Sequence, residues 1–222
     1  MRLTEQDHAT VTAAVAAAER HTAGEIVTVV ARRSDQYNDV AAHAGVLAML
    51  LVLAVLSIWP QLAARLEALF YDPWQGPHPG APYAIALVLA ALAFLVGRYA
   101  LASLPLRIAL TPGATKTRRA RARALDLFRA SAEKRTAGAT GVLIYLSLDE
   151  HRAELIADAA IHGKVPPEIW GAAMAALIAA VKDDRPGDGM AAAVAQVGVV
   201  LAEHFPRVTG DRNELPDRLI EL

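Results

Sequence analysis

Apolar and polar positions are distributed very unevenly along this chain. No Asp, Glu, Lys or Arg occurs between Asp39 and Arg65. Within that gap Ala44 to Trp59 is almost unbroken in Ala, Val, Leu and Ile. With Val40–His43 ahead of it, the run reaches the roughly 20 residues a helix needs to cross a hydrocarbon core of about 30 Å. Its nine Val, Leu and Ile residues each favour insertion by roughly 0.3–0.6 kcal/mol, about 4 kcal/mol together. Trp59 and Pro60 mark an interface and a stop. A second apolar run, from Ala81 to Leu104, contains a single charge, Arg98. An arginine at mid-bilayer costs roughly 2.5–3.5 kcal/mol, so Arg98 must lie toward one end and reach the interface. Tyr83 and Tyr99 suit interfacial anchoring. The pattern predicts two transmembrane spans, 40–60 and 81–104, forming a hairpin with a loop over 60–80.

The remainder reads as one small domain split by that hairpin, 1–39 and 111–222, with 40–110 as the insertion. Thr4-Glu-Gln-Asp7 is a capping box, and Val11, Val15 and Ala18 follow at helical spacing, predicting a helix that ends near His21. Glu25–Ala31 is β-branched and predicts a buried strand. Beyond the hairpin, Thr115–Arg135 predicts a helix, and Gly138 and Gly141 punctuate. Gly141–Leu148 and Arg152–Asp158 predict strands that pair as an antiparallel hairpin across the turn Asp149-Glu150-His151. Pro167 opens a helix running to Val181, and the break Asp184–Gly189 leads into a last helix ending near His204. The order predicts an α/β fold, a small mixed sheet covered by helices and interrupted by a two-helix transmembrane hairpin.

Composition and charge refine this picture. The 222 residues are 55% apolar but only 20% charged, consistent with the apolar excess being concentrated in the spans. The first 39 residues are mostly polar or amphipathic and the first long apolar run starts only near Val40, unlike a signal peptide, in which such a run follows the basic start at once. A net charge of −1 gives no global field toward nucleic acid, and the absence of cysteine excludes disulfides, thiolate metal sites and cysteine nucleophiles. Arg32 and Arg33 precede the first span, and Arg98, Arg107 and a cluster from Lys116 to Arg123 accompany or follow the second. The connecting loop holds only Arg65 as a basic residue. This asymmetry predicts a multi-pass inner-membrane protein with both termini cytoplasmic.

Candidate chemistry is acidic and lies at strand ends. Asp35 follows the first strand, Asp149 and Glu150 the second, and Asp158 ends the third. Asp35 sits where open α/β sheets bind ligands, and Asp149 joins it if the first two strands are parallel. Asp158, ending an antiparallel strand, falls at the opposite end. Two readings of Asp35, Asp149 and Asp158 stand. They are oxygen ligands suited to Ca²⁺ or Mg²⁺, or they are turn and strand-end caps. Glu25 is expected to make a structural hydrogen bond or ion pair. No histidine falls in a metal-binding spacing, and no phosphate loop, Ser-His-Asp set or nucleotide fingerprint is present, so no catalytic residue is assigned. Lys116, Arg118, Arg119, Arg121 and Arg123 form a polybasic segment directly after the hairpin. Without interleaved aromatic residues it suits an anionic lipid surface, at about 1 kcal/mol per cation, rather than nucleic acid.

Several stretches also resemble a known family. Thr22-Ala-Gly-Glu-Ile-Val-Thr-Val-Val30 is similar to the opening motif of the TPM domain family. Gly141–Ser147, and Ala157-Asp158 followed by Lys164-Val165, are similar to its central strands. Leu201–Pro206 and Asn213–Asp217 resemble the C-terminal signature of its short, membrane-anchored bacterial branch. The resemblance implies a TPM-like sandwich related to thylakoid photosystem II repair proteins, some of whose relatives bind calcium or show acid phosphatase activity. This chain departs from the family after the third strand. Asp158-Ala-Ala160 stands where many members have Asp-x-Gly, with a glycine only at Gly163, which weakens the expectation of a close backbone approach to a metal or phosphate. Two functions are therefore expected. The preferred one is a membrane-tethered, non-catalytic interaction module serving assembly or maintenance of other membrane proteins, with the lipid bilayer and such proteins as partners. The alternative is a Ca- or Mg-assisted acid phosphatase.

Overall fold

The computed structural model describes residues 3–70, 76, 78–131, 140–166, 168–207 and 214–222. In chain order the first elements are α1 (Glu5–Glu19), β1 (Glu25–Ala31), α2 (Asn38–Ile58), α3 (Gln61–Phe70), α4 (Ala81–Ala100), α5 (Leu104–Leu110) and α6 (Gly113–Ser131). They are followed by β2 (Gly141–Ser147), β3 (Arg152–Ala157), α7 (Ala159–His162), α8 (Ile169–Lys182), α9 (Pro186–His204) and β4 (Ile220–Glu221). The chain divides into two compact units, Met1–Asp35 with Gly113–Leu222, and Gln36–Pro112. Residues 132–135 of the expected helix, with Gly138, Pro167 and Asn213, lie outside the described residues.

The split unit is α/β, built on a four-stranded mixed sheet of order β3-β2-β1-β4. β1 pairs parallel with β2, β2 antiparallel with β3, and the two-residue β4 parallel with the far half of β1. All seven residues of β1 and all seven of β2 are buried, because helices cover both faces. Side chains alternate along each strand. Ile26, Val30, Val142, Ile144 and Leu146 therefore join Val11 and Val15 of α1 and the apolar faces of α8 and α9 in one core. Val27, Val29, Leu143 and Tyr145 join Ala120, Ala124 and Phe128 of α6 in the other. α6 is thus the crossover helix between parallel β1 and β2, and the second unit is inserted into that crossover. The Thr4–Asp7 capping box forms as the sequence requires: Asp7 N–H donates to Thr4 Oγ1 (3.2 Å) and Thr4 N–H to Asp7 Oδ2 (2.7 Å).

In the inserted unit α2 and α4 are both long and apolar enough to cross a bilayer, with mean hydropathy 2.4 and 1.9 in their most apolar windows. Only 11% and 6% of those windows are buried, unlike the core helix of a soluble protein. Small residues let the two backbones meet. A Cβ on Gly97 would stand 2.8 Å from the Ala44 carbonyl oxygen, and one on Gly45 2.9 Å from that of Phe94. α4 stops at Ala100 rather than Leu104. Pro105 cannot extend a preceding helix, and Arg107 takes the last carbonyls, donating from Nε to Leu101 O (2.6 Å) and from Nη2 to Ala102 O (2.9 Å). Its Nη1 also donates to Asn38 Oδ1 (2.7 Å), tying the end of α4 to the start of α2. The segment expected to be a loop over 60–80 instead begins with the ten-residue helix α3.

Candidate functional site

The carboxyl ends of β1 and β2 lie side by side, because the strands are parallel and in register from Glu25↔Gly141 to Ala31↔Ser147. The ladder continues past both strands: Leu148 N–H donates to Ala31 O (3.1 Å) and Asp149 N–H to Arg32 O (2.9 Å). The loops carrying Ser34–Asp35 and Asp149–Glu150 are therefore fixed to one another. His151 closes the turn in the left-handed region, at φ 48°. Asp35 and Asp149 share this edge. Each carboxylate has a cation from its own domain: Arg119 Nη1 on Asp35 at 2.8 Å and Arg32 Nε on Asp149 at 3.6 Å.

At the centre of the edge sits a buried polar chain. Glu150 is 3% exposed and accepts the Ser34 N–H at Oε1 (3.2 Å) and the Ser34 hydroxyl at Oε2. With its proton given to Glu150, Ser34 Oγ accepts from the Tyr145 hydroxyl at 3.0 Å. Burial raises the Tyr145 pKa and the Glu150 charge adds to the rise, against the Ser34 hydrogen bond, so the phenol stays a proton donor. Glu150→Ala should cost about 2 kcal/mol, since it removes the buried acceptor of the Ser34 N–H and hydroxyl. Thermal unfolding that is unchanged in this variant would show the chain to be dispensable.

Asp158 is elsewhere. It is 7% exposed, its Oδ2 accepts the Gly141 N–H at 3.1 Å, and it therefore ties the end of β3 to the amino end of β2. The length of β2 separates it from Asp149, roughly 20–25 Å at 3.3 Å per residue. Calcium and magnesium ligands all lie within about 2.6 Å of one ion. Asp35, Asp149 and Asp158 therefore do not fit a shared metal site. Among the described residues no three His, Cys, Asp or Glu groups are placed to hold an ion.

The amino edge of the sheet gathers a second set of carboxyls, of which sequence reasoning singled out only Glu25. Glu19 Oε1 accepts the Ile26 N–H at 2.8 Å, and buried Glu25 accepts the Leu215 N–H at 3.2 Å, a structural bond. Glu19, Glu25 and Asp217, with Thr22 and Arg207, line a cavity of about 150 Å³. Burial, with the charges of Glu25 and Asp217 adding to it and the Ile26 bond opposing, pushes the Glu19 carboxyl up to about 8. These side chains come from α1, β1 and the C-terminal segment, and no local spacing announces their meeting.

The polybasic segment is the first half of α6. Ala120, Ala124 and Phe128 face the sheet, which leaves the cations on the flanks. Arg119 is held by Asp35, and Arg121 approaches Glu154 at 3.5 Å. Burial raises the Glu154 pKa, and Arg121 counters it. Lys116, Arg118 and Arg123 make no hydrogen bond or ion pair among the described residues.

Residues 101–200 match the family model for the TPM domain. No curated protein matches the chain. Among solved structures, the NMR structure of the BA42 protein from the psychrophilic bacterium Bizionia argentinensis is similar, with a TM-score of 0.57 and 17% identity over 100% of this chain and 97% of that one. At that identity the likeness carries the fold alone.

Proposed function

We infer, from the TPM domain that this chain carries, that the protein is a membrane-tethered interaction module rather than an enzyme. In this reading α2 and α4 span the inner membrane, both termini are cytoplasmic, and the TPM domain is presented to other membrane proteins during their assembly or maintenance. The observation that carries it is the state of the carboxyl edge. Where an α/β sheet would bind a small ligand, Asp35 and Asp149 are each engaged by an arginine of the same domain. The cations left over, Lys116, Arg118 and Arg123, follow the hairpin directly and suit an anionic membrane surface.

The test is photo-crosslinking in intact cells from the exposed apolar positions 169 and 199 of the α/β unit. One discrete adduct with another integral membrane protein is expected at both. Adducts with lipid alone, or none, would remove the interaction role.

A second reading, an acid phosphatase, has one observation in its favour: the Ser34 hydroxyl lies against the Glu150 carboxylate, a nucleophile beside a base. Hydrolysis of a generic phosphate ester by the full chain, with Ca²⁺, Mg²⁺ or Mn²⁺, separates the two. No turnover is expected. Turnover lost in both Ser34→Ala and Glu150→Gln would replace the preferred reading with the enzymatic one.

A further inference from the structure

The inserted unit contains a cavity that tethering alone does not use. α3 carries Leu62, Leu66 and Leu69 at i, i+4 and i+7, a single apolar stripe. Leu69 and Phe70 are 75% and 77% exposed, as on a helix lying at a membrane interface. Leu62 and Leu66, farther back along the stripe, wall a cavity of about 430 Å³ with Leu51, Val55 and Leu56 of α2 and Leu89 of α4. That volume falls within the range of sites that hold small ligands. Arg65 is the one charged side chain in the lining.

Depth and charge say what fits. Leu56 and Val55 precede the end of α2 at Ile58 by two and three residues, so at 1.5 Å per residue they lie about 3–5 Å inside that end. Arg65 follows Trp59 and Pro60, on the outer side of the same end. A cation at headgroup depth therefore stands over apolar walls at the depth where acyl chains begin. Arg65 has no hydrogen bond or ion pair among the described residues. Glu67, two positions on, points away around the helix and does not line the cavity.

We propose that this cavity holds an acyl chain of an anionic phospholipid of the bilayer, with the lipid phosphate paired to Arg65. The proposal rests on the reading that α2 and α4 span a membrane. A zwitterionic lipid offers the same chain but carries its own ammonium beside the phosphate, so discrimination falls on Arg65.

The experiment is native mass spectrometry of the full-length protein in detergent, titrated with phosphatidylglycerol and with phosphatidylcholine of identical acyl chains. The unaltered protein should retain phosphatidylglycerol about fivefold more tightly, the advantage one cation gives at an anionic headgroup. Arg65→Gln should erase the ratio and Arg65→Lys should keep it. Leu56→Trp, which fills the cavity, should weaken both lipids. Equal retention of the two lipids, or an unchanged ratio in Arg65→Gln, overturns the proposal and leaves the spanning helices intact. Release of the whole chain from cell membranes by alkaline carbonate overturns both.

Discussion

Gly97→Ala is expected to destabilise the inserted unit by about 1–3 kcal/mol. The same substitution at Gly171 is expected to stabilise its helix by about 0.5–1 kcal/mol. The chemical change is identical and the surroundings decide the sign. At Gly97 the new methyl would meet the Ala44 carbonyl oxygen at 2.8 Å, the Ala48 Cβ at 3.0 Å and the Gly45 Cα at 3.1 Å. Two of those three atoms are backbone, so relief requires α2 and α4 to separate. At Gly171 nothing lies within 4 Å, and only the gain from restricting the unfolded chain remains. Denaturant titration in micelles, followed by circular dichroism, measures both. A Gly97→Ala protein as stable as the parent would mean that the close contact is not what holds the helices together.

The second large effect concerns pH. Glu19 has a carboxyl raised from 4.5 to about 8, chiefly by burial. Below about pH 4.5 the folded and unfolded chains are both protonated there, and folding bears no penalty. Between about 4.5 and 8 the unfolded chain loses that proton while the folded one keeps it, so stability falls as pH rises. Above about 8 the folded carboxyl ionises too, and the loss levels off. Because Glu19 is only partly buried, the loss is about 2 kcal/mol rather than the full value of such a displacement. Glu19→Gln keeps an oxygen for the Ile26 N–H and offers a donor to Asp217. Its stability should match the parent below about pH 4.5 and exceed it by about that amount near pH 9. Parallel stability curves for the two proteins would place the pH dependence elsewhere.

Elements whose sequence pattern and packing agree were legible before any coordinates. Unbroken apolar composition announced α2 and α4, and the β-branched run Glu25–Ala31 announced a strand covered on both faces. The placement of Asp158 at the opposite edge followed from the antiparallel turn, whereas that of Asp149 beside Asp35 hung on β1 and β2 being parallel, which the sequence left open. α3 escaped because Arg65 and Glu67 give its segment the polarity of a loop, although Leu62, Leu66 and Leu69 already held helical spacing. β4 is too short to carry a period of two. The partners of the site were hidden for a different reason. Arg119 reaches Asp35 across 84 positions of sequence, Glu150 reaches Ser34 across 116, and Leu215 reaches Glu25 across 190. Burial of Glu150 depends on that tertiary closure, and nothing in Asp149-Glu150-His151 distinguishes it from a solvated turn.

Insertion of the hairpin within the β1–β2 crossover also has a consequence for biosynthesis. Gly141 follows Ala31 by 110 positions. At about 5–20 residues per second, β1 waits roughly 5–20 s after its own synthesis for the parallel neighbour that completes its pairing. During that interval the ribosome produces the whole of α2 and α4, and the nascent strand, apolar on both faces, has no sheet to join. Maturation of the domain therefore trails synthesis of the inserted unit, so a chain that stalls within that unit leaves β1 exposed to aggregation and to proteolytic quality control.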